Sequence, residues 1–124
     1  MATARYLVDD VEAALAFYTG SLDFEVRQRF GPAMAIITRG DLDLWLAGPA
    51  SSAARPLADG RQPEAGGWNR IVLNVTDLPA LVDRMMAAGV IFRGPVVNGP
   101  GGSQILCEDP SGNPVELFEP QSQT

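Results

Sequence analysis

Hydrophobic and polar positions in the first 47 residues follow the periods of strands and helices. Residues 3–8 alternate in the manner of a short strand, and residues 11–19 place apolar side chains three and four positions apart, on one face of a helix. Three more alternating segments follow at residues 23–30, 33–38 and 42–47. This half of the chain therefore predicts the order βαβββ.

The second half of the chain repeats this order. Residues 69–75 predict a strand, residues 78–89 a helix, and residues 90–93, 103–108 and 114–119 three further strands. We therefore expect an α+β fold of two tandem βαβββ modules, with two helices and eight strands in total.

Local signals mark the ends of both helices. Either Asp9 or Asp10 could cap the first helix, because a carboxylate accepts hydrogen bonds from the free N–H groups of a first turn. Asp77 occupies the matching position before the second helix. Gly20 and Gly89 are expected to end the two helices, since glycine readily adopts the left-handed conformation that often follows a last turn.

The whole chain, residues 1–124, is predicted to be one domain, because single domains commonly contain about 100–150 residues. We divide it into a first module at residues 1–47, a linker at 48–67, a second module at 68–120 and a short tail at 121–124. The linker is rich in Ala, Ser, Gly and Pro and has little periodicity, and we expect that it can also act as a lid.

Composition excludes several classes of function. The chain has no histidine, which removes Ser-His-Asp triads and nearly all imidazole-based metal sites. Its single cysteine, Cys107, excludes an internal disulfide and is expected to be a small buried residue rather than a reactive thiol. A net charge of −6 argues against nucleic acid or an anionic membrane as a partner. No signal peptide or long apolar stretch is visible, so we expect a cytoplasmic protein, and the absence of Lys favours a GC-rich bacterial gene.

Strand alternation separates the side chains that pack under the helices from those on the opposite faces of the sheets. The opposite faces carry charged and aromatic side chains in both modules. If the two sheets curve toward each other, these faces line one cup, a surface typical of a small-molecule site, although each charge could also be simply solvated. The residues predicted to line the cup are Thr3, Arg5, Asp43, Trp45, Arg70, Asn74, Glu116 and Phe118.

Three kinds of side chain on these faces suggest chemistry. Trp45 and Phe118 could stack on a planar ligand or pack in the core. Arg5 and Arg70 could bind an anionic group of a ligand or form internal salt bridges. Glu116 could act as a general base if it were desolvated, but a neighbouring arginine would stabilise its ionised form and make it a poor base.

Three segments resemble the vicinal oxygen chelate superfamily, which includes glyoxalase I, extradiol dioxygenases and bleomycin-resistance proteins. They are residues 8–24, residues 75–92 and residues 108–117, of which the last reads EDPSGNPVEL and is the most specific. The resemblance implies the glyoxalase/bleomycin-resistance fold, in which two βαβββ modules form an open curved-sheet cup. It also implies a homodimer, and leaves open whether each cup uses one chain or two.

Enzymes of this superfamily use four metal ligands, two from each module. By position, the resemblance places these ligands on Thr3 and Arg70 in the first strands and on Asp43 and Glu116 in the last strands. Threonine is a poor ligand and arginine has no lone pair to donate, so Arg70 is expected to pair with Glu116 or Asp43 instead. The chain therefore resembles the metal-free branch, and we expect neither metal nor cofactor.

The first functional hypothesis is metal-independent binding of a small, partly aromatic organic molecule, with sequestration of an antibiotic or toxic metabolite as the precedent in the superfamily. The expected binding residues are Arg5, Asp43, Trp45, Arg70, Asn74, Glu116 and Phe118. The alternative is a lyase, isomerase or dioxygenase that uses Asp43 and Glu116 as metal ligands, or Glu116 as general base. A third possibility is an accessory protein that binds a metabolite without turnover.

Overall fold

A computed structural model describes residues 2–121, which form two compact units. One unit contains the residues up to Gly66 together with Pro110–Asn113, and the other contains Gly67–Asp109 together with the residues from Pro114 onward. Of the predicted tail, residues 122–124 lie outside the described residues. Neither helix in the described chain is long and apolar enough to cross a membrane.

The first unit has the predicted order βαβββ. Its sheet order is β1-β4-β3-β2, in which β1 runs parallel to β4 and the other pairs are antiparallel. The elements are β1 (Ala2–Leu7), α1 (Val11–Ser21), β2 (Glu25–Phe30), β3 (Met34–Arg39) and β4 (Leu42–Ala47).

An aspartate lies near each end of helix α1. Asp10, rather than Asp9, is its N-cap, and the Asp10 carboxylate accepts a hydrogen bond from the Ala13 N–H at 3.1 Å. The prediction that Gly20 ends this helix was wrong, since Gly20 lies inside the last turn. The left-handed residue that redirects the chain is Asp23, with φ of 60°, a conformation that Asp tolerates better than most residues.

One face of α1 packs on the sheet and forms the core of this unit. Tyr18 is fully buried and makes edge-to-face contacts with Phe17 and Phe24, at ring-centroid distances of 4.9 and 5.4 Å. On the sheet side, Leu44 and Leu46 are also fully buried. The alternation of β4 therefore places its leucines under the helix and leaves the intervening side chains on the opposite face.

The second unit repeats the arrangement with one addition. Its sheet order is β5-β9-β8-β6, with β5 parallel to β9, and β7 pairs with β8. The elements are β5 (Ile71–Asn74), α2 (Leu78–Ala87), β6 (Ile91–Phe92), β7 (Val97–Gly99), β8 (Gly102–Glu108) and β9 (Pro114–Pro120).

The prediction of eight strands was wrong, since residues 2–121 form nine. The additional strand is β7, which is three residues long and pairs antiparallel with the start of β8 through Val97, Asn98 and Gly99. Such a short strand between Pro95 and a glycine turn contains too few alternations to give a period-2 pattern.

Helix α2 is tied at its first turn to strand β9. Its N-cap, Asp77, has a left-handed backbone with φ of 49°, and the carboxylate accepts from the Ala80 N–H at 3.4 Å. The Glu119 carboxylate on β9 accepts two more hydrogen bonds, from the N–H groups of Asp77 and Leu78, both at 3.0 Å. The helix start therefore has acceptors from two different elements.

Candidate functional site

In the first unit, the strand register brings four of the predicted residues onto one face. Thr3 lies opposite Asp43, and Arg5 lies opposite Trp45, in the parallel pair β1–β4. The Arg5 guanidinium lies over the Trp45 ring, with Cζ 4.9 Å from the ring centroid. This distance is that of a cation–π contact, so Arg5 and Trp45 form one planar, cationic and aromatic surface.

Asp43 is the buried acid of this face. It is only 6% exposed, and its Oδ2 accepts a hydrogen bond from Nη1 of Arg27. Its Oδ1 is buried and has no hydrogen-bond partner among residues 2–121. One oxygen of the carboxylate is therefore neutralised by a guanidinium, and the other has lost contact with water without a replacement.

The partner of Asp43 was missed in the sequence because it depends on a β-bulge. The register of β2 against β3 shifts between Val26 and Gln28, which leaves Arg27 as the extra residue on the bulged strand. A bulge redirects the side chain that it contains, and here the guanidinium reaches across to β4. Simple alternation carries no signal for such an irregularity.

In the second unit, the predicted pairing of Arg70 with Glu116 is present. Oε1 of Glu116 accepts hydrogen bonds from Nε and Nη2 of Arg70, at 3.1 and 2.9 Å, and Glu116 is only 8% exposed. Arg70 precedes β5, and the register places Val72 directly opposite Glu116. Arg70 lies two residues before Val72, the register partner of Glu116, and its long side chain reaches back to the Glu116 carboxylate.

The rest of this face is partly apolar. Asn74 lies opposite Phe118 in the parallel pair β5–β9, and Gln104 lies opposite Phe118 from β8. Val72 is 52% exposed on the same face. The structure therefore brings Arg70, Asn74, Glu116 and Phe118 together on the second sheet, as it brings Thr3, Arg5, Asp43 and Trp45 together on the first.

A cavity of about 190 Å³ opens on the second unit beside the Arg70–Glu116 pair. Trp68, which is 67% exposed, and Arg93 line it together with apolar residues of β7 and β8. Cζ of Arg93 lies 4.6 Å from the Trp68 ring centroid, and the same guanidinium donates to Oε2 of Glu108 at 2.7 Å. Arg93 is therefore held in place above the indole.

Trp68 and Arg93 were not predicted as site residues. Trp68 lies outside the periodic segments, where alternation cannot assign a face. An indole that is two-thirds exposed is unusual for so large an apolar side chain. In both units, the same chemistry recurs: an arginine over a tryptophan, and an arginine bound to a buried acid.

Cys107 lies on the opposite side of its strand from these groups. It is fully buried, as expected, and burial raises the pKa of its thiol to about 12. A thiol with this pKa is almost entirely protonated near neutral pH and is a poor nucleophile. Cys107 is therefore a packing residue.

The donor atoms for a metal are sparse in both units. Within the described part of the chain, no three or more His, Cys, Asp or Glu side chains are grouped so that they could hold a metal ion. The two carboxylates at the last-strand positions, Asp43 and Glu116, are each bound by an arginine of their own unit.

Comparison with protein families identifies one match. The model of the Glyoxalase/Bleomycin resistance protein/Dioxygenase superfamily matches residues 1–117, which is nearly the whole chain. A search of curated proteins found no match.

Solved structures match over almost the full length of the chain. A superfamily member from Sphaerobacter thermophilus is 28% identical, with a TM-score of 0.75 and 94% of each chain covered. TnmS3, an antibiotic binding protein from Streptomyces, is 24% identical, with a TM-score of 0.71 and coverage of 96% of this chain and 93% of TnmS3. Lactoylglutathione lyase from Agrobacterium tumefaciens is 23% identical, with a TM-score of 0.73 and coverage of 96% and 92%. The last two likenesses show the fold alone.

Proposed function

Because the chain belongs to the glyoxalase/bleomycin resistance protein/dioxygenase superfamily, we propose that it binds a small, partly aromatic organic molecule without a metal ion. In this role it sequesters an antibiotic or a metabolite rather than converting it. The observation that carries the proposal is the state of the two buried acids, Asp43 and Glu116, each of which is occupied by a guanidinium.

These residues do not fit a divalent metal ion. A cation at Asp43 or Glu116 would lie beside the arginine whose positive charge already neutralises that carboxylate. Arg70, at a first-strand ligand position, has no lone pair, and Thr3 is a weak neutral donor. Each unit therefore offers a metal ion one carboxylate, and that carboxylate already forms a salt bridge with an arginine.

The same residues suit a planar organic ligand. The exposed Trp68 ring, with the Arg93 guanidinium over it, offers a stacking surface, and the walls of the adjoining cavity of about 190 Å³ are partly apolar. This volume is below the roughly 300–1,000 Å³ of pockets for drug-sized ligands, so it fits one ring system rather than a whole large molecule. Arg5 and Trp45 offer a second stacking surface on the first unit.

The enzyme alternative finds less support. Nε and Nη2 of Arg70 both donate to Oε1 of Glu116, so this oxygen is already occupied by a guanidinium and is poorly placed to take a proton from a substrate. TnmS3 is an antibiotic binder of the same fold, whereas the lactoylglutathione lyase is an enzyme, so the fold accommodates both classes. The arginine-bound acids favour binding over turnover.

The proposal is tested with an aromatic probe, 8-anilinonaphthalene-1-sulfonate, followed by a panel of aromatic antibiotics. We expect saturable binding with quenching of tryptophan fluorescence, and recovery of each compound unchanged by mass spectrometry. Trp68→Ala and Trp45→Ala should each weaken binding by about three- to tenfold without unfolding the protein. Leu57→Ala, which truncates an exposed apolar side chain outside both surfaces, is the control and should leave affinity unchanged.

Two results would contradict the proposal. The first is stoichiometric retention of Mn, Fe, Co, Ni or Zn after buffer exchange, because it would mean that the chain holds a metal ion despite the arginines beside its buried acids. The second is equal binding by the tryptophan variants and the parent protein, because it would remove both stacking surfaces from the site.

A further inference from the structure

A larger cavity, of about 390 Å³, lies in the first unit at the C-terminal ends of β1 and β4. Leu7 and Ala47, which are the last residues of these strands and register partners, contribute to its lining. Val8 and Asp9, which follow β1, the linker, and Ser111 of the turn at residues 110–113 provide the remainder. The volume falls within the usual range for small-molecule pockets, and the lining does not include the stacking pair Arg5 and Trp45.

The polar side chains of this cavity are rich in acceptors. Two acidic residues, Asp9 and Glu64, are part of its lining, and both are exposed to solvent. The Gln62 amide nitrogen donates to the Ala54 carbonyl at 2.9 Å, so its Oε1 acts as an acceptor. Among the described residues that line this cavity there is no arginine. The other walls are largely alanine, proline, valine and leucine.

Hydrogen bonds hold the cavity walls in place without a ligand. The Asn113 side chain donates to the Leu7 carbonyl and accepts from the Gly66 N–H, both at 2.7 Å, so it joins the end of β1 to the end of the linker. Oγ of Ser111 accepts from the Asp9 N–H at 2.8 Å. Pro63 has a restricted backbone, which further limits movement of the wall. A preformed pocket lowers the entropic cost of binding.

We propose that this cavity binds a small organic cation of the primary ammonium class. The ammonium group has three N–H donors and no acceptor, which complements a site that presents two carboxylates and an amide oxygen. The hydrocarbon part of the ligand contacts the alanine and proline walls. The net charge of −6 raises the local concentration of such cations at low ionic strength.

The test is a titration of ¹⁵N-labelled protein with n-butylammonium chloride, followed by ¹H–¹⁵N correlation spectra at low ionic strength. We expect saturable shifts concentrated at the amides of Asp9, Gln62, Glu64 and Ser111. Two probes of nearly the same size separate charge from shape: neutral 1-pentanol and anionic butyrate should bind much more weakly. Sodium chloride at matched concentration should not reproduce the shifts.

Variants identify the groups responsible. Glu64→Gln and Asp9→Asn should each weaken n-butylammonium binding by about three- to fivefold, as expected for a partly exposed ion pair. The matched controls Glu25→Gln and Asp41→Asn remove exposed acids of the same unit outside the cavity and should leave the affinity unchanged.

Three outcomes would overturn the proposal. Equal binding of 1-pentanol would show a purely apolar cleft. Equal weakening by the control variants would show unspecific attraction of cations to an acidic protein. A lack of saturable shifts would show that the cavity does not bind the ammonium class.

Discussion

Asn113 is predicted to stabilise the first unit by joining the linker to strand β1. Its side chain is buried, at 4% exposure, and makes two hydrogen bonds of 2.7 Å, to the Leu7 carbonyl and the Gly66 N–H. Asn113→Ala removes both, and a neutral hydrogen bond contributes about 0.5–1.5 kcal/mol to stability. We therefore expect the free energy of unfolding to fall by about 1–3 kcal/mol.

The measurement is urea denaturation, followed by tryptophan fluorescence and far-ultraviolet circular dichroism. Asn113→Asp separates the two bonds, because aspartate can still accept from Gly66 but cannot donate to the Leu7 carbonyl; we expect it to lose at least as much stability as Asn113→Ala. Amide exchange at Gly66 should accelerate in Asn113→Ala. The control is Asn69→Ala, at an exposed asparagine, which should stay within about 0.5 kcal/mol of the parent. A loss below about 0.5 kcal/mol for Asn113→Ala would refute the reasoning.

Three further predictions concern buried or capping groups. Arg27→Met leaves the buried Asp43 carboxylate without its cation, so we expect the free energy of unfolding to fall by about 1–3 kcal/mol; adding Asp43→Asn should recover most of this loss in urea denaturation. Glu119→Gln retains one acceptor for the two N–H groups at the start of α2 but removes the charge, and should cost about 1 kcal/mol with faster amide exchange confined to that turn. Burial raises the pKa of the Cys107 thiol from 9.0 to about 12, so the unfolded chain loses this proton first as pH rises. Stability should therefore fall between these two pH values, by up to about 1.4 kcal/mol per pH unit, and Cys107→Ala should remove that slope.

Periodic segments account for the parts of the fold that the sequence predicted well. Strand β4 spans Leu42–Ala47, as expected, because leucines at every second position identify both the element and the face that packs under the helix. The doubled βαβββ order followed from the same kind of signal. The carboxylate Asp43 could also be placed on the face opposite the helix, since a strand residue between Leu42 and Leu44 must point away from the face that carries these leucines.

The features that were missed depend on contacts between distant or irregular segments. Arg27 reaches Asp43 only because a bulge interrupts the alternation of β2. Arg93 and Trp68 meet although 25 positions separate them, and neither lies in a long periodic segment. The Asn113 turn could be predicted from its composition, but its hydrogen bonds to Leu7 and Gly66 could not, since one pairwise contact leaves no pattern in a single sequence.

The two modules neutralise equivalent acids by different routes, and this difference bears on function. Asp43 receives its arginine from a bulge in β2, whereas Glu116 receives its arginine from the residue before β5. If the position of each arginine were simply inherited with the repeated module, both would come from the same element. Instead, each unit supplies a guanidinium to the acid from the element that can reach it. A face that carries a paired acid beside an arginine–tryptophan stack has no unpaired negative charge and large planar surfaces. Those properties suit the stacking of a ring and oppose the capture of a metal ion, which supports the proposed binding function.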